Sequence, residues 1–247
     1  RVFANRTWMH HFGEPLVETP SDFGLQVERP VDLDLLDFLA DRLIRGGWKL
    51  KPLHRLIVSS RTWKRASLVP EMNPFAEQLA TDPTNRYLWR ANRRRLDLES
   101  LRDTLLSVSG QLDLTMFGRP TSITSPENHR RTIYAIVERQ NIPDVVRNFD
   151  FASPDCSIAR RQITTVPQQA LFMLNSDFVT RSAQALASRS ESKDPAMVTR
   201  INRIYRLALR RDPTSEEQDL GAAFVTARGW DQYAQVLLMT NEMMFVD

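Results

Sequence analysis

The densest group of chemically active side chains in this sequence is a run of arginines followed at once by acids. Arg93, Arg94 and Arg95 are consecutive, and Glu99 and Asp103 follow them four residues apart. Side chains four residues apart lie on the same face of a helix, so the spacing predicts two carboxylates close to the arginines. Two interpretations are open. The group is either an ion-pair network that joins helices, or a pocket whose guanidinium groups bind a carboxylate, sulfate or phosphate.

A second candidate site lies in the polar stretch from residue 150 to residue 165. It contains Asp150, Asp155, Arg160 and Arg161. An irregular loop that leads into a helix can bind an anion through its free backbone amides, and the alternative is an ordinary ordered connector. The two acids could also serve as the acid and base of a hydrolase, although five residues of loop fix no distance between them.

Motifs that would identify a metalloenzyme or a nucleophilic enzyme are missing. His10 and His11 are adjacent, and neighbours on a helix point in different directions, so they do not chelate a metal as histidines four residues apart do. The single cysteine, Cys156, excludes an intrachain disulfide and a multi-cysteine metal site. The sequence has no Gly-x-Ser-x-Gly motif and no nucleotide-binding glycine loop. We therefore predict no metal site and no cofactor, and leave open whether the chain is an enzyme.

The charge composition favours a domain rich in ion pairs over a surface dedicated to nucleic acid. The chain has 33 basic and 30 acidic residues, and only four of the basic residues are lysines. Arginine forms planar, bidentate pairs with carboxylates. Tyr87 and Trp89 alternate with arginines in a pattern that nucleic-acid-binding proteins use, but acids follow directly and the net charge is only +3. We expect no nucleic-acid partner.

The elements that must position these side chains are mostly helices. Apolar residues recur at helical spacing in segments that begin near Val2, Leu33, Leu98, Pro167 and Trp230. The stretch from residue 132 to residue 137 is rich in β-branched and aromatic residues and is the best strand candidate. The pattern predicts a mostly α, multi-helical fold with a small β element near residues 131–138 and an antiparallel C-terminal helical bundle.

The order of helical and loop-rich stretches along the sequence predicts three parts. Residues 1–112 form an N-terminal helical lobe, residues 113–165 a loop-rich connector with the short strand, and residues 166–247 the C-terminal bundle, with one compact domain as the alternative. No run of about 18 apolar residues occurs, so we expect no membrane-spanning segment. The chain begins at Arg1 inside a helical pattern rather than at a methionine, which suggests a piece of a longer protein.

Several stretches together resemble one family. They are Arg1-Val2-Phe3-Ala4-Asn5-Arg6-Thr7-Trp8, Thr19-Pro20-Ser21-Asp22-Phe23-Gly24, Gly47-Trp48-Lys49-Leu50-Lys51, Leu53-His54-Arg55-Leu56-Ile57 and Thr164-Thr165-Val166-Pro167-Gln168-Gln169-Ala170-Leu171. The chain is similar to a planctomycete-type domain of unknown function that occurs in large exported proteins, often alongside a cytochrome c-like domain. The resemblance implies a periplasmic or otherwise exported location and, as partners, other domains of the same parent chain. It supplies no reaction and no catalytic residues.

These observations lead to one functional hypothesis and one alternative. The hypothesis is a non-catalytic ligand-binding or protein-interaction module of an exported multidomain bacterial protein, with an anionic or saccharide ligand. The alternative is a hydrolytic domain that acts on an extracellular glycan or other polymer through carboxylates from separate segments. An enzyme should bring at least two acids, or a histidine, together in a concave pocket.

Overall fold

The computed structural model describes residues 1–25, 27–30, 32–67, 75–191 and 196–246. The chain divides into two compact units. The first unit comprises Arg1–Arg94 and Ser157–Arg160, and the second comprises Arg95–Cys156 and Arg161–Val246. The three-part division drawn from the sequence remains a prediction. Among the described residues, no helix combines the length and the hydropathy that crossing a membrane requires.

Four helices of the first unit are described: α1 (Val2–Phe12), α2 (Leu33–Arg45), α3 (Leu50–Val58) and α4 (Ala76–Thr81). Helix α1 ends at Gly13, whose φ of 83° is the left-handed conformation that glycine adopts at least cost. Helix α2 begins at Asp32, whose carboxylate accepts a hydrogen bond from the Leu35 amide. α1 packs on α2 and α2 packs on α3, and the apolar stripes of these three helices form the core: Ala4, Trp8, Phe12, Leu36, Leu39, Leu43, Leu53 and Ile57.

The second unit contains the longer helical assembly. Its helices are α5 (Leu98–Ser109), α6 (Asp144–Asn148), α7 (Pro167–Asn175), α8 (Asp177–Arg189), α9 (Met197–Ala208), α10 (Ser215–Arg228), α11 (Trp230–Leu238) and α12 (Asn241–Met244). α8 packs against both α5 and α11, and α10 packs against α9 and α11. The core is built from leucine, isoleucine and valine on these faces: Leu101, Leu105, Val179, Leu186, Ile201, Ile204 and Leu238. The prediction of a mostly helical fold is confirmed.

The small β element is present, but it lies elsewhere than predicted. Strands β1 (Arg94–Arg95) and β2 (Phe245–Val246) form a two-stranded sheet. The predicted strand at 131–138 is instead a single turn of 3-10 helix at Thr132–Tyr134, followed by an isolated bridge between Ala135 and Thr121. The physical reason is a tertiary contact with helix α5. The Thr132 amide and hydroxyl both donate to the Asp103 carboxylate, so side-chain bonds replace the ladder that a strand would need.

Candidate functional site

Helix α5 positions the acids that the sequence singled out. It begins at Asp97, whose carboxylate accepts a hydrogen bond from the Ser100 amide at 2.8 Å, and it ends at Gly110 in the left-handed conformation. One face of the helix is apolar and buried in the core of the second unit. Glu99 and Asp103 are only partly buried and lie one turn apart, as their spacing predicts.

Asp103 links α5 to the one-turn helix at Thr132–Tyr134. Its Oδ1 atom accepts hydrogen bonds from the Thr132 amide and the Thr132 hydroxyl, each at 2.7 Å. Its Oδ2 atom lies 3.9 Å from the Nε of Arg131, a side chain that is about half exposed. The carboxylate is therefore fixed on one oxygen, while the other has only a distant cation.

Glu99 forms a bidentate ion pair with Arg161, from the second predicted site. The two guanidinium nitrogens of Arg161 donate to the two carboxylate oxygens of Glu99 at 2.9 and 3.0 Å. The guanidinium also lies 4.7 Å from the ring centre of Phe151. The hydrogen bond to Glu99 is the main reason that the pKa of Arg161 is raised. This pair brings one residue from each of the two predicted clusters into direct contact.

Glu99 and Asp103 line a cavity of about 390 Å³ in the second unit. Most of the remaining wall is apolar and comes from the segment after Thr132 and from the start of α6. A third acid, Glu138, and one arginine, Arg131, also lie on the wall. The apolar lining residues are Leu98, Ile123, Ile133, Ala135, Ile136, Val137, Ile142, Pro143, Val146 and Phe151. Two fixed carboxylates in a largely apolar cavity of this size match the usual anatomy of a small-molecule site.

A separate cluster in the same unit is formed by Arg95 and Asp150. The Nη2 of Arg95 donates to Asp150 Oδ2 at 2.6 Å, and Thr164 donates to the same carboxylate through its amide and its hydroxyl. The Arg95 side chain is only 4% exposed. Asp150 has a φ of 61°, an uncommon conformation for a residue other than glycine. Its carboxylate thus accepts three hydrogen bonds, which connect the 150–165 stretch to Arg95.

The structure does not gather the other predicted site residues around either cluster. Arg93 and Arg94 belong to the first unit, where Arg94 donates to the His10 carbonyl oxygen at 3.0 Å. Arg160 also lies in the first unit and forms an ion pair with Glu14. Asp155 is exposed and accepts a hydrogen bond from the Ser153 hydroxyl at 3.3 Å. The consecutive arginines Arg93 to Arg95 are therefore divided between the two units.

Arg102 is a functional candidate that was not selected from the sequence. Its side chain is 5% exposed. Its Nη1 donates to the Arg130 carbonyl oxygen at 2.9 Å and to the Thr132 hydroxyl at 3.1 Å, and its Nη2 donates to the Asn128 carbonyl oxygen. Its Nε has no partner among the described residues. Burial lowers the pKa of Arg102, and the nearby Asp103 carboxylate only partly offsets that effect.

Arg102 also lines a second cavity, of about 330 Å³, that shares Leu98 and Ile123 with the first. Its wall is more apolar and includes Phe172 and Phe178. Arg102 lies 5.5 Å from the ring centre of Phe178. The residues of α5 therefore contribute to two cavities of different character, one lined by its acids and one by its buried arginine.

The sequence did not select Thr132, Glu138 or the isoleucines of the first cavity. Thr132 was predicted to begin a strand, and nothing local marks it as the residue that orients Asp103.

Comparison with known families gives one match. The family model described as PSD1, a protein of unknown function (DUF1553), matches residues 1–225. Neither a curated protein nor a solved structure matches the chain significantly.

Proposed function

The chain belongs to the PSD1 family of proteins of unknown function, and we propose that it is a ligand-binding module. The proposal comes from the cavity beside α5, because the family supplies no activity to carry over. The cavity takes a saccharide or another small molecule rich in hydroxyl groups. We place the module in an exported multidomain bacterial protein, with other domains of the parent chain as its neighbours. That context rests on the family resemblance of the sequence.

The observation that carries the proposal is the pair of oriented carboxylates, Glu99 and Asp103, on a largely apolar wall. An ionised carboxylate has about four lone-pair sites, and Arg161 uses two of those on Glu99. Asp103 is held by Thr132 through one oxygen only. Both acids keep acceptor capacity for hydroxyl donors, and charge-assisted hydrogen bonds of this kind are strong. The isoleucine and valine side chains of the wall suit the C–H faces of a sugar ring.

The charges of the lining favour a neutral ligand over an anion. Three acids, Glu99, Asp103 and Glu138, line the cavity beside a single arginine, Arg131. An anion placed there would lie next to like charges without a free bidentate guanidinium to bind it. Of the two ligand classes expected from the sequence, the cavity therefore supports the saccharide better than the anion.

Hydrolysis of a glycan is the alternative, and the contacts of Glu99 do not favour it. A glycosidase needs one carboxyl group that carries a proton to the leaving oxygen. Both oxygens of Glu99 already accept hydrogen bonds from Arg161, which leaves no oxygen placed to donate a proton to a substrate. Hydrolysis would therefore depend on Asp103, whose Oδ2 atom has only the distant Arg131 near it. Binding needs no proton donor, and it is the function that we assign to this cavity.

The test is a titration of the chain with neutral monosaccharides and short oligosaccharides, monitored by saturation-transfer NMR and calorimetry. Asp103→Asn keeps the shape of the side chain and an oxygen that can accept from Thr132, but removes the charge. We expect this variant to bind at least tenfold more weakly, as loss of a charge-assisted hydrogen bond predicts. Asp155→Asn is the matched control, because Asp155 is exposed and does not line the cavity.

Two results would count against the proposal. Saturable binding that is the same in Asp103→Asn and in the unchanged chain would place the sugar elsewhere. Release of new reducing ends from a glycan, abolished by Asp103→Asn, would replace binding by hydrolysis as the function of the cavity.

A further inference from the structure

Two of the four histidines of the chain meet in the first unit, although 43 residues separate them. The Nδ1 atom of His54 lies 3.2 Å from the Nε2 atom of His11. His11 is near the end of α1, and His54 is in the middle of α3. Their ring centres are 4.9 Å apart with an angle of 37° between the ring planes. The two nitrogens, and not only the two rings, are therefore directed at each other.

The state of His11 follows from its second hydrogen bond. Its Nδ1 atom lies 2.8 Å from the carbonyl oxygen of Thr7. A carbonyl oxygen only accepts, so Nδ1 carries the proton and the lone pair of the ring lies on Nε2, where it accepts from the Nδ1–H of His54. Histidines that bind metals commonly donate their other N–H to a backbone carbonyl, which fixes the tautomer and the direction of the ring. His11 already has this arrangement without any metal contact.

The separation of the two nitrogens matches the spacing of two ligands on one metal ion. Zinc–nitrogen bonds of about 2.0–2.1 Å place two ligand nitrogens about 3.4 Å apart at a tetrahedral angle and about 2.9 Å apart at a right angle. The observed 3.2 Å lies between these values. A neutral His54 needs only to move its proton from Nδ1 to Nε2 to offer its own lone pair.

The surroundings hold His11 and leave His54 accessible. The His11 ring contacts the edge of Trp63, with 5.6 Å between the ring centres, and Trp63 packs in the same manner on Phe12 of the core. His54 is exposed. One ligand is thus anchored against the apolar core and the other faces solvent, from which an ion can enter.

We propose that His11 and His54 form a two-histidine binding site for a divalent transition-metal cation such as Zn²⁺ or Cu²⁺. Imidazole nitrogen suits these ions, and Cu²⁺ should bind more tightly than Zn²⁺. Among the described residues, no group of three or more His, Cys, Asp and Glu side chains is placed to hold a metal. The remaining coordination positions therefore belong to water or to an exogenous ligand, as in open metal sites.

This site could not be found from the sequence, which led us to predict no metal. We considered His10 and His11 together because they are adjacent, but His10 is exposed and it is His11 that meets His54. The pairing depends on how α1 and α3 are placed, which no local pattern encodes. The site lies in the first unit and the saccharide cavity in the second, so either proposal can fail without the other.

The experiment is a titration of the full chain with ZnCl₂ by calorimetry and with CuCl₂ by electron paramagnetic resonance. All proteins carry Cys156→Ser, because Cys156 is an exposed free thiol that binds these ions itself. We expect one ion per chain, with hyperfine splitting from two imidazole nitrogens on Cu²⁺. His11→Ala and His54→Ala should each weaken binding at least tenfold. His10→Ala and His129→Ala, which change the other two histidines, should leave it unchanged.

A second readout uses Trp63, which is in contact with His11. Bound Cu²⁺ should quench the fluorescence of this tryptophan, and Trp63→Phe should remove most of the quenching while leaving the affinity for Zn²⁺ intact. His54 is exposed, so His54→Ala should keep the helical circular dichroism of the parent, and loss of binding in it cannot be attributed to unfolding. Unaltered metal affinity in His54→Ala, or no saturable binding by the parent chain, would overturn the proposal and leave a hydrogen-bonded histidine pair only.

Discussion

Replacing Arg102 by methionine tests whether a buried guanidinium holds the wall of the candidate site. The side chain is 5% exposed and donates to two backbone carbonyls, those of Asn128 and Arg130, and to the Thr132 hydroxyl. Methionine has a similar length and can keep the contact with Phe178, but it has no donors. The variant therefore removes the hydrogen bonds while preserving most of the packing.

The size of the effect follows from two opposing contributions. Leaving a buried carbonyl without its donor costs about 1–3 kcal/mol, so two carbonyls amount to about 4 kcal/mol. The substitution also removes a buried charge, and this recovers part of the lost free energy of unfolding, since replacing buried charges by apolar groups can stabilise a protein. Burial lowers the pKa of Arg102, which shows that such a penalty exists. We expect a net loss of about 2–3 kcal/mol in the free energy of unfolding.

The assay is urea unfolding followed by circular dichroism, combined with amide hydrogen exchange of residues 122–135. Arg131→Met is the control, because that side chain is 51% exposed and lies 3.9 Å from Asp103, so its loss should cost no more than about 0.5 kcal/mol. Exchange in Arg102→Met should become faster in the 122–135 segment first. If Arg102→Met is as stable as the parent, with unaltered exchange in that segment, the guanidinium does not hold the wall and this reasoning is wrong.

Three further predictions concern other parts of the structure. Asn5 is completely buried and exchanges two hydrogen bonds with the Val17 backbone, so Asn5→Ala should lower the free energy of unfolding by about 2–3 kcal/mol in urea titrations. Thr214 and Glu217 form a capping box at the start of α10, so Thr214→Ala should cost about 1 kcal/mol, and Ser215→Ala, one residue later, should cost much less. The hydrogen bond from Arg211, opposed by partial burial, lowers the pKa of Glu217 to about 2 from an ordinary 4.5. Because the folded state has the lower pKa, the stabilisation is complete above pH 4.5 and is lost as the pH falls from about 4.5 to about 2. The Arg211–Glu217 ion pair is partly exposed, so Glu217→Gln should remove about 1 kcal/mol of the pH dependence of stability. This is measured as the difference in unfolding free energy between pH 6 and pH 3.

The sequence predicted the helices well because their signals are local. The apolar positions of α2 and α5 recur at helical spacing, and Gly13 and Gly110 end α1 and α5 in the left-handed conformation that glycine adopts readily. The same periodicity placed Glu99 and Asp103 on one face of α5. These features depend on residues within a few positions of one another, which a sequence displays directly.

Contacts between distant segments could not be predicted in this way. Glu99 pairs with Arg161, 62 residues away, and the sequence offers 29 arginines as possible partners. The strand expected at 131–138 failed for a related reason. Its β-branched residues fit a strand by propensity, but Asp103 from α5 takes the Thr132 amide, and such tertiary bonds override propensity.

Thr132 shows why the stability of the second unit and the geometry of its cavity are coupled. Its hydroxyl donates to Asp103 and accepts from Arg102, so one oxygen connects the acid that faces the cavity to the arginine buried behind it. These two neighbouring residues of α5 have different roles: in the proposed function Asp103 offers acceptors to the ligand, while Arg102 donates to the backbone carbonyls of Asn128 and Arg130. If the proposed ligand binds Asp103, the charged face of α5 both stabilises the unit and contributes to the site, and the two interpretations of its ion pairs do not exclude each other.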